Sequence, residues 1–164
     1  MATVGGKICQ SFAAAAMVSL CVALDGVALV WQPGGGEYRV PVAQLVTGNG
    51  SNALAPGEVL RAVDLPEHAL SARTAFRKIA LASLGRSGAV LTGRIDDDGS
   101  AVFSITAATL SPTVLRYPAL PTAEVLLADV YAADGYCTDP LGAADWRRQV
   151  SGVLLEEIRQ ELAA

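Results

Sequence analysis

The chain has 164 residues, 52% hydrophobic and 17% charged, with 12 Lys and Arg against 16 Asp and Glu and a net charge of -4. That is enough apolar material to bury roughly two-thirds of the unfolded surface in one domain or two small ones, which excludes a disordered chain. The acidic balance lacks the basic stripe that nucleic-acid binding requires.

The chain opens on Ala2, Thr3, Val4, Gly5, Gly6, Lys7, Ile8 and Cys9. Two consecutive glycines before a helix let backbone N–H groups approach an anion closely, although the same pair beside a start methionine also suits a flexible end. Residues 12–24 are apolar except for Ser19 and follow Lys7, the outline of a secretory signal. Asp25 and Gly26 cut the run well short of the roughly 18 to 20 residues a membrane span needs, so a buried helix feeding the next strand is expected, with a secreted or lipid-proximal domain as a trailing alternative.

Residues 26–31 predict a buried strand, 32–36 a Pro-Gly turn and 37–42 a returning strand, together a hairpin. A small-residue loop over 47–52 precedes a strand over 58–65, closed by Pro66. After a loop at 67–71, the β-rich runs 73–82, 88–95 and 101–110 read as antiparallel, the last two joined by the turn Asp96, Asp97, Asp98, Gly99. Helices are expected over 121–133 and 143–162. In the second, Trp146, Val150, Val153, Leu154, Ile158 and Leu162 form one stripe, while Arg147, Arg148, Glu156, Arg159 and Glu161 lie on other faces.

These elements predict an α+β fold. An antiparallel-sheet subdomain with flanking helices spans 1–66, and a small C-terminal domain over 67–164 packs a β-hairpin or three-stranded sheet on helices. Catalytic and metal candidates are few. Cys9, Cys21 and Cys137 have no Cys-x-x-Cys spacing and read as reduced, buried and cytoplasmic. His68 is the single histidine and stands beside Pro66, so a triad is not expected. The three aspartates lack a carboxylate at the closing position of a calcium loop, where Ala107 stands, so no metal site is expected.

The order of the motifs carries a function. Thr3, Val4, Gly5 and Gly6, an apolar helix, Ala23 to Val27, Arg39 to Val42, Leu54 to Leu60, Val63 to Pro66, Phe76 to Lys78 and Asp139 to Arg148 together resemble the FAD-binding subunit or domain of the molybdenum hydroxylases, the xanthine dehydrogenase and carbon monoxide dehydrogenase type. The similarity runs from residue 2 into the last helix.

The resemblance implies an oxidoreductase component that passes electrons from iron-sulfur clusters through FAD to an acceptor, in complex with an iron-sulfur subunit and a molybdopterin-binding subunit. It implies FAD contacts by Thr3, Val4, Gly5, Gly6 and Lys7 at the diphosphate, by Leu60 near the isoalloxazine ring, and by Arg77 or Lys78 at the ring's polar edge. It also implies departures. The family's first glycine-rich flavin loop lies well upstream of the Thr-Val-Gly-Gly motif, so the chain is expected to be a truncated, C-terminal part of such a subunit, its N-terminal flavin subdomain supplied in cis or by a separate partner chain. The Asn that follows the glycine pair is Lys7 here, and the family's proline and ribityl-contacting aspartate fall at or near Ala13 and Ala16, which offer no side-chain hydrogen bond. FAD binding by this chain alone is therefore expected to be weak or absent. A non-catalytic interaction module that keeps the fold without flavin is the alternative.

Overall fold

A computed structural model describes residues 3–164; Met1 and Ala2, the first residues of the glycine motif, lie outside the described residues. The first unit begins with helix α1 (Val4–Gln10), whose start is fixed by Thr3 Oγ1 accepting from the Gly6 N–H at 3.0 Å. It ends at Ser11, in the left-handed region at φ 51, whose buried hydroxyl donates to the Ile8 carbonyl at 2.8 Å. Helix α2 (Ala16–Ala23) then leads to strands β1 (Val27–Trp31) and β2 (Glu37–Pro41), the expected hairpin. A one-turn helix α3 (Val42–Leu45) and a tight pair β3 (Val46–Gly48) and β4 (Ser51–Asn52) follow, and β5 (Val59–Asp64) completes an antiparallel sheet of order β2-β1-β5.

Period-two alternation sets the first core. Ala28 and Val30 of β1 are fully buried beneath Ile8, Val18, Val22, Val42 and Leu45, whereas Trp31 is 48% exposed on the outer face. Among the cysteines only Cys21 is buried. Cys9 and Cys137 are half-buried, because each sits where a helix or loop meets the surface.

The segment expected as a loop after Pro66 is a short helix, α4 (Glu67–Ser71). It leads into β6 (Arg73–Ile79), β7 (Ala89–Ile95), β8 (Ala101–Thr106) and β9 (Thr113–Tyr117), an antiparallel sheet in sequence order. The C-terminal sheet therefore has four strands, since residues 113–117 add an edge strand beside β8. Helices α5 (Ala123–Ala132) and α6 (Ala144–Ala163) cover one face, packing Leu126, Val130, Leu155 and Ile158 on Leu91, Phe103 and Ile105.

Helix α6 is rotated from the stripe expected of it. Arg147, Ser151, Leu155, Ile158 and Leu162 face inward, and Val153 is 57% exposed. Arg147 is fully buried because its guanidinium is spent internally, donating to the Ala107 carbonyl at 3.1 Å, the Cys137 Sγ at 2.7 Å and the Asp139 carboxylate.

The second face of this sheet meets the first unit, so all six residues of β8 are buried. Ser19 Oγ lies 2.7 Å from Thr106 Oγ1, and the Ala107 N–H donates to the Ala13 carbonyl at 2.9 Å. Among the described residues no helix is long and apolar enough to cross a membrane.

Candidate functional site

The junction of the two units is open on one side, and the opening has a polar end and an apolar end. At the polar end, Thr3, Val4 and Lys7 of the N-terminal motif, the loop residue Phe12 and Arg86 of the β6–β7 loop surround a cleft of about 540 Å³. Its floor is Ala14, Ala15, Ala16 and Met17. The loop leading into α2 is held by the Asn49 Oδ1, which accepts from the Ala13 N–H at 3.0 Å, and by the Asn52 Nδ2, which donates to the Cys9 carbonyl at 2.7 Å.

The apolar end is a trench of about 580 Å³ between α2 and the α2-facing side of β6 and β7. It shares Ala14, Ala16 and Met17 with the cleft, so the two form one continuous depression. Leu20, Leu24, Phe76 and Val90 supply its walls, and Thr74, Lys78 and Thr92 its polar points. Arg94 also borders it, but its guanidinium is committed to the Ala23 carbonyl, Asp25 and Asp96. Lys78 makes no ion pair among the described residues.

Strand alternation separates the two basic residues of β6. Lys78 shares the trench face with Thr74 and Phe76. Arg77 points to the opposite face and is held by Glu157 at 3.2 Å and Glu161 at 2.7 Å on α6. Arg77 therefore stands outside the trench. Leu60, opposite Val30 on β5, is half-buried against the first core and lines neither cavity.

The glycine pair behaves differently from a loop cradle. Gly5 and Gly6 lie inside the first turn of α1, and the Gly6 N–H is already taken by Thr3 Oγ1. A Cβ at Gly6 would meet that oxygen at 2.9 Å, so small size here serves the cap, whereas nothing lies within 4 Å of a Cβ at Gly5.

A second cavity of about 490 Å³ holds His68 and the aspartate turn. Its chemistry is spent on structure. Asp96 grips Arg94, the Asp98 carboxylate accepts from the Ser100 N–H, and Gly99 at φ 85 makes the hairpin turn. His68 is exposed, and among the described residues no group of three or more His, Cys, Asp or Glu is placed to hold a metal ion.

Arg86, Phe76, Thr74 and Thr92 are among the lining residues that sequence reasoning missed as site residues. Arg86 had one available signal, as the single cation in the glycine-serine loop between two strands.

Comparison with known proteins bears on the fold and on the N-terminal segment. Residues 1–68 match the family model described as the FAD binding domain in molybdopterin dehydrogenase. No curated protein sequence matches the chain. Among solved structures, reconstituted CO dehydrogenase from Oligotropha carboxidovorans superposes with a TM-score of 0.83 at 22% identity, over 98% of this chain and 60% of that one. Quinoline 2-oxidoreductase from Pseudomonas putida 86 gives 0.78 at 16% identity with the same coverage. Carbon monoxide dehydrogenase from Hydrogenophaga pseudoflava, lacking the Mo-pyranopterin moiety of its cofactor, gives 0.76 at 19%, over 96% of this chain and 59% of that one. The chain thus spans about 60% of the length of the solved chains it matches. Its first 68 residues are matched by the FAD binding domain of molybdopterin dehydrogenase, and nearly its whole length has the fold of carbon monoxide dehydrogenase and quinoline oxidoreductase chains.

Proposed function

We propose that this chain supplies one side of the flavin site in an oxidoreductase of the molybdenum hydroxylase type, acting as an electron-transferring component. The observation that carries this reading is the continuity of a cationic cleft with an apolar trench across Ala14, Ala16 and Met17. FAD has that same division, an anionic diphosphate in the middle and a largely apolar tricyclic ring at one end.

In this reading Thr3, Val4 and Lys7 line the diphosphate, Gly5 and Gly6 form the helix turn that carries them, and Lys78 stands at the polar edge of the ring. Leu60 supports α1 from the first core, and Arg77 has no part because it is committed to α6. When bound, FAD supplies the capacity to accept an electron pair and pass it on. The chain's own contribution is electrostatic and steric. The Lys78 ammonium in a largely apolar trench favours electron-rich character at the ring edge, and α2 with the β6–β7 face excludes water from one side of the ring.

The partners proposed on the resemblance are an iron-sulfur subunit, a molybdopterin-binding subunit and a further flavin subdomain carrying the other glycine-rich loop. Ala13 and Ala16 leave this side of the site without the carboxylate that the resemblance implies, so affinity depends on the complementary side. Each missing charge-assisted hydrogen bond is worth about 1.5–3 kcal/mol.

The test is a fluorescence titration of FAD with the purified chain, alone and with the N-terminal flavin subdomain of a structural relative added as a separate chain. Weak or undetectable binding alone, tightening on addition, is the expected result. Failure to bind FAD in both arms contradicts the proposal and favours an interaction module that keeps the fold without flavin.

A further inference from the structure

We propose that Arg86 is a second phosphate-binding cation, reaching the Thr3–Lys7 cleft from the C-terminal sheet and making the cleft specific for a diphosphate. The proposal rests on the flavin reading of that cleft and deepens it by adding a residue from the other unit.

Three observations carry it. The cleft is lined by two cations, Lys7 and Arg86, and by no carboxylate, in a chain whose net charge is -4. Neither cation makes an ion pair among the described residues; Arg61, Arg73, Lys78 and Arg148 share that state, but only Lys7 and Arg86 line this cleft. Two cations lining one acid-free concavity form a locus of positive potential that an anion would neutralise.

The third observation is orientation. The Arg86 guanidinium lies over the Phe12 ring, 5.7 Å from its centroid, and Phe12 is itself 43% exposed. The left-handed turn at Ser11 and the Asn49 contact at Ala13 fix the chain on both sides of Phe12. A guanidinium held over a ring face by cation–π attraction retains N–H donors for hydrogen bonding, and its fork suits a phosphate bidentately. Lys7 supplies a point charge but no fork, so a ligand with two phosphate charges is better satisfied by the pair than by Lys7 alone.

The experiment is calorimetric titration of the full chain with sodium pyrophosphate, comparing the wild type with Arg86→Ala, Arg86→Lys and the charge-matched control Arg61→Ala. Arg61 is stacked at 5.1 Å on Trp31, on the outer face of the first sheet. The expected result is saturable binding by the wild type, a loss of at least about tenfold in Arg86→Ala, partial recovery in Arg86→Lys, and less than twofold change in Arg61→Ala. Circular dichroism confirms folding of each variant. The proposal is overturned if the wild type shows no saturable binding, if Arg86→Ala stays within twofold of it, or if Arg61→Ala loses as much as Arg86→Ala.

A parallel FAD titration in the presence of the added flavin subdomain separates this proposal from the reading beneath it. Pyrophosphate binding that depends on Arg86 without any FAD binding removes the flavin reading and keeps the phosphate site. FAD binding indifferent to Arg86 keeps the flavin reading and overturns the role of Arg86.

Discussion

Asp25 and Arg94, 69 residues apart in sequence, join the two units of the molecule through one carboxylate. Asp25 ends the α2 segment in the left-handed region at φ 51 and accepts from both Arg94 and Arg116, while Arg94, only 2% exposed, also holds Asp96 and the Ala23 carbonyl. The trench wall is therefore positioned by a buried guanidinium whose charge is balanced from both sides.

Asp25→Asn tests that tie, because asparagine tolerates the same backbone conformation and removes only the charge. Arg94 keeps Asp96, so the expected loss is about 2–4 kcal/mol, read as a lowered urea midpoint. Burial alone would raise the Asp25 pKa, but hydrogen bonds and charge from Arg116 and Arg94 outweigh it and hold the carboxyl below its usual value. Its contribution is thus complete above the unfolded-state pKa of about 3.9 and is lost as pH falls through the lower folded value. The stability gap between wild type and Asp25→Asn should narrow below about pH 4, and a gap that widens there would contradict this account.

Gly93 sits where α6 lies against β7, and a Cβ there would meet the Phe103 ring at 2.9 Å as well as Ile158. Both neighbours are fully buried and have no free end to swing away. Gly93→Ala is expected to cost about 1–3 kcal/mol by overpacking, measured as a fall in Tm, whereas Gly5→Ala, with open space around it, should change Tm little.

Arg147 should resist conservative replacement. Its fork reaches the Ala107 carbonyl, Cys137 and Asp139 together, and its Nε has no acceptor. Lysine cannot span those partners, so Arg147→Lys and Arg147→Met are both expected to destabilise by about 3 kcal/mol, with lysine giving no rescue in chemical denaturation.

The first hairpin and the two late helices were legible because their signals are local. Gln32 to Gly36 can only turn, and the apolar spacing of residues 143–162 has a helical period. What escaped the sequence depends on tertiary partners. The strand at 113–117 follows Ser111 and Pro112 and exists because β8 offers it an edge. Arg147 reads as a surface charge until Asp139 and Ala107 are folded around it. Of the cavity lining, Thr3 and Lys7 were readable from the glycine motif, and a strand register was needed to place Lys78 on the trench face and Arg77 on the other. Arg86 carried only the signal of a single cation in a glycine-serine loop, which by itself does not say that the loop reaches the N-terminal cleft.

The two basic residues of β6 give a paired prediction. Lys78→Ala should weaken FAD binding in the complemented assay by about tenfold and leave Tm nearly unchanged. Arg77→Ala should leave FAD affinity within twofold and slightly loosen α6, seen as faster amide exchange near Glu157 and Glu161. Equal effects on FAD affinity would contradict the division of the sheet into two faces.

The most direct test of the account asks whether the cleft and the trench are one site. Backbone amide chemical shifts of the full chain, with the added flavin subdomain present, are recorded during titration with FAD to millimolar concentration and, separately, with riboflavin, which lacks the diphosphate. The account predicts that FAD moves Lys7 and Arg86 together with Lys78 and Thr92, while riboflavin moves only the trench residues. Shifts confined to the aspartate turn at Asp96 to Ser100, or to the outer sheet face around Trp31, would contradict it.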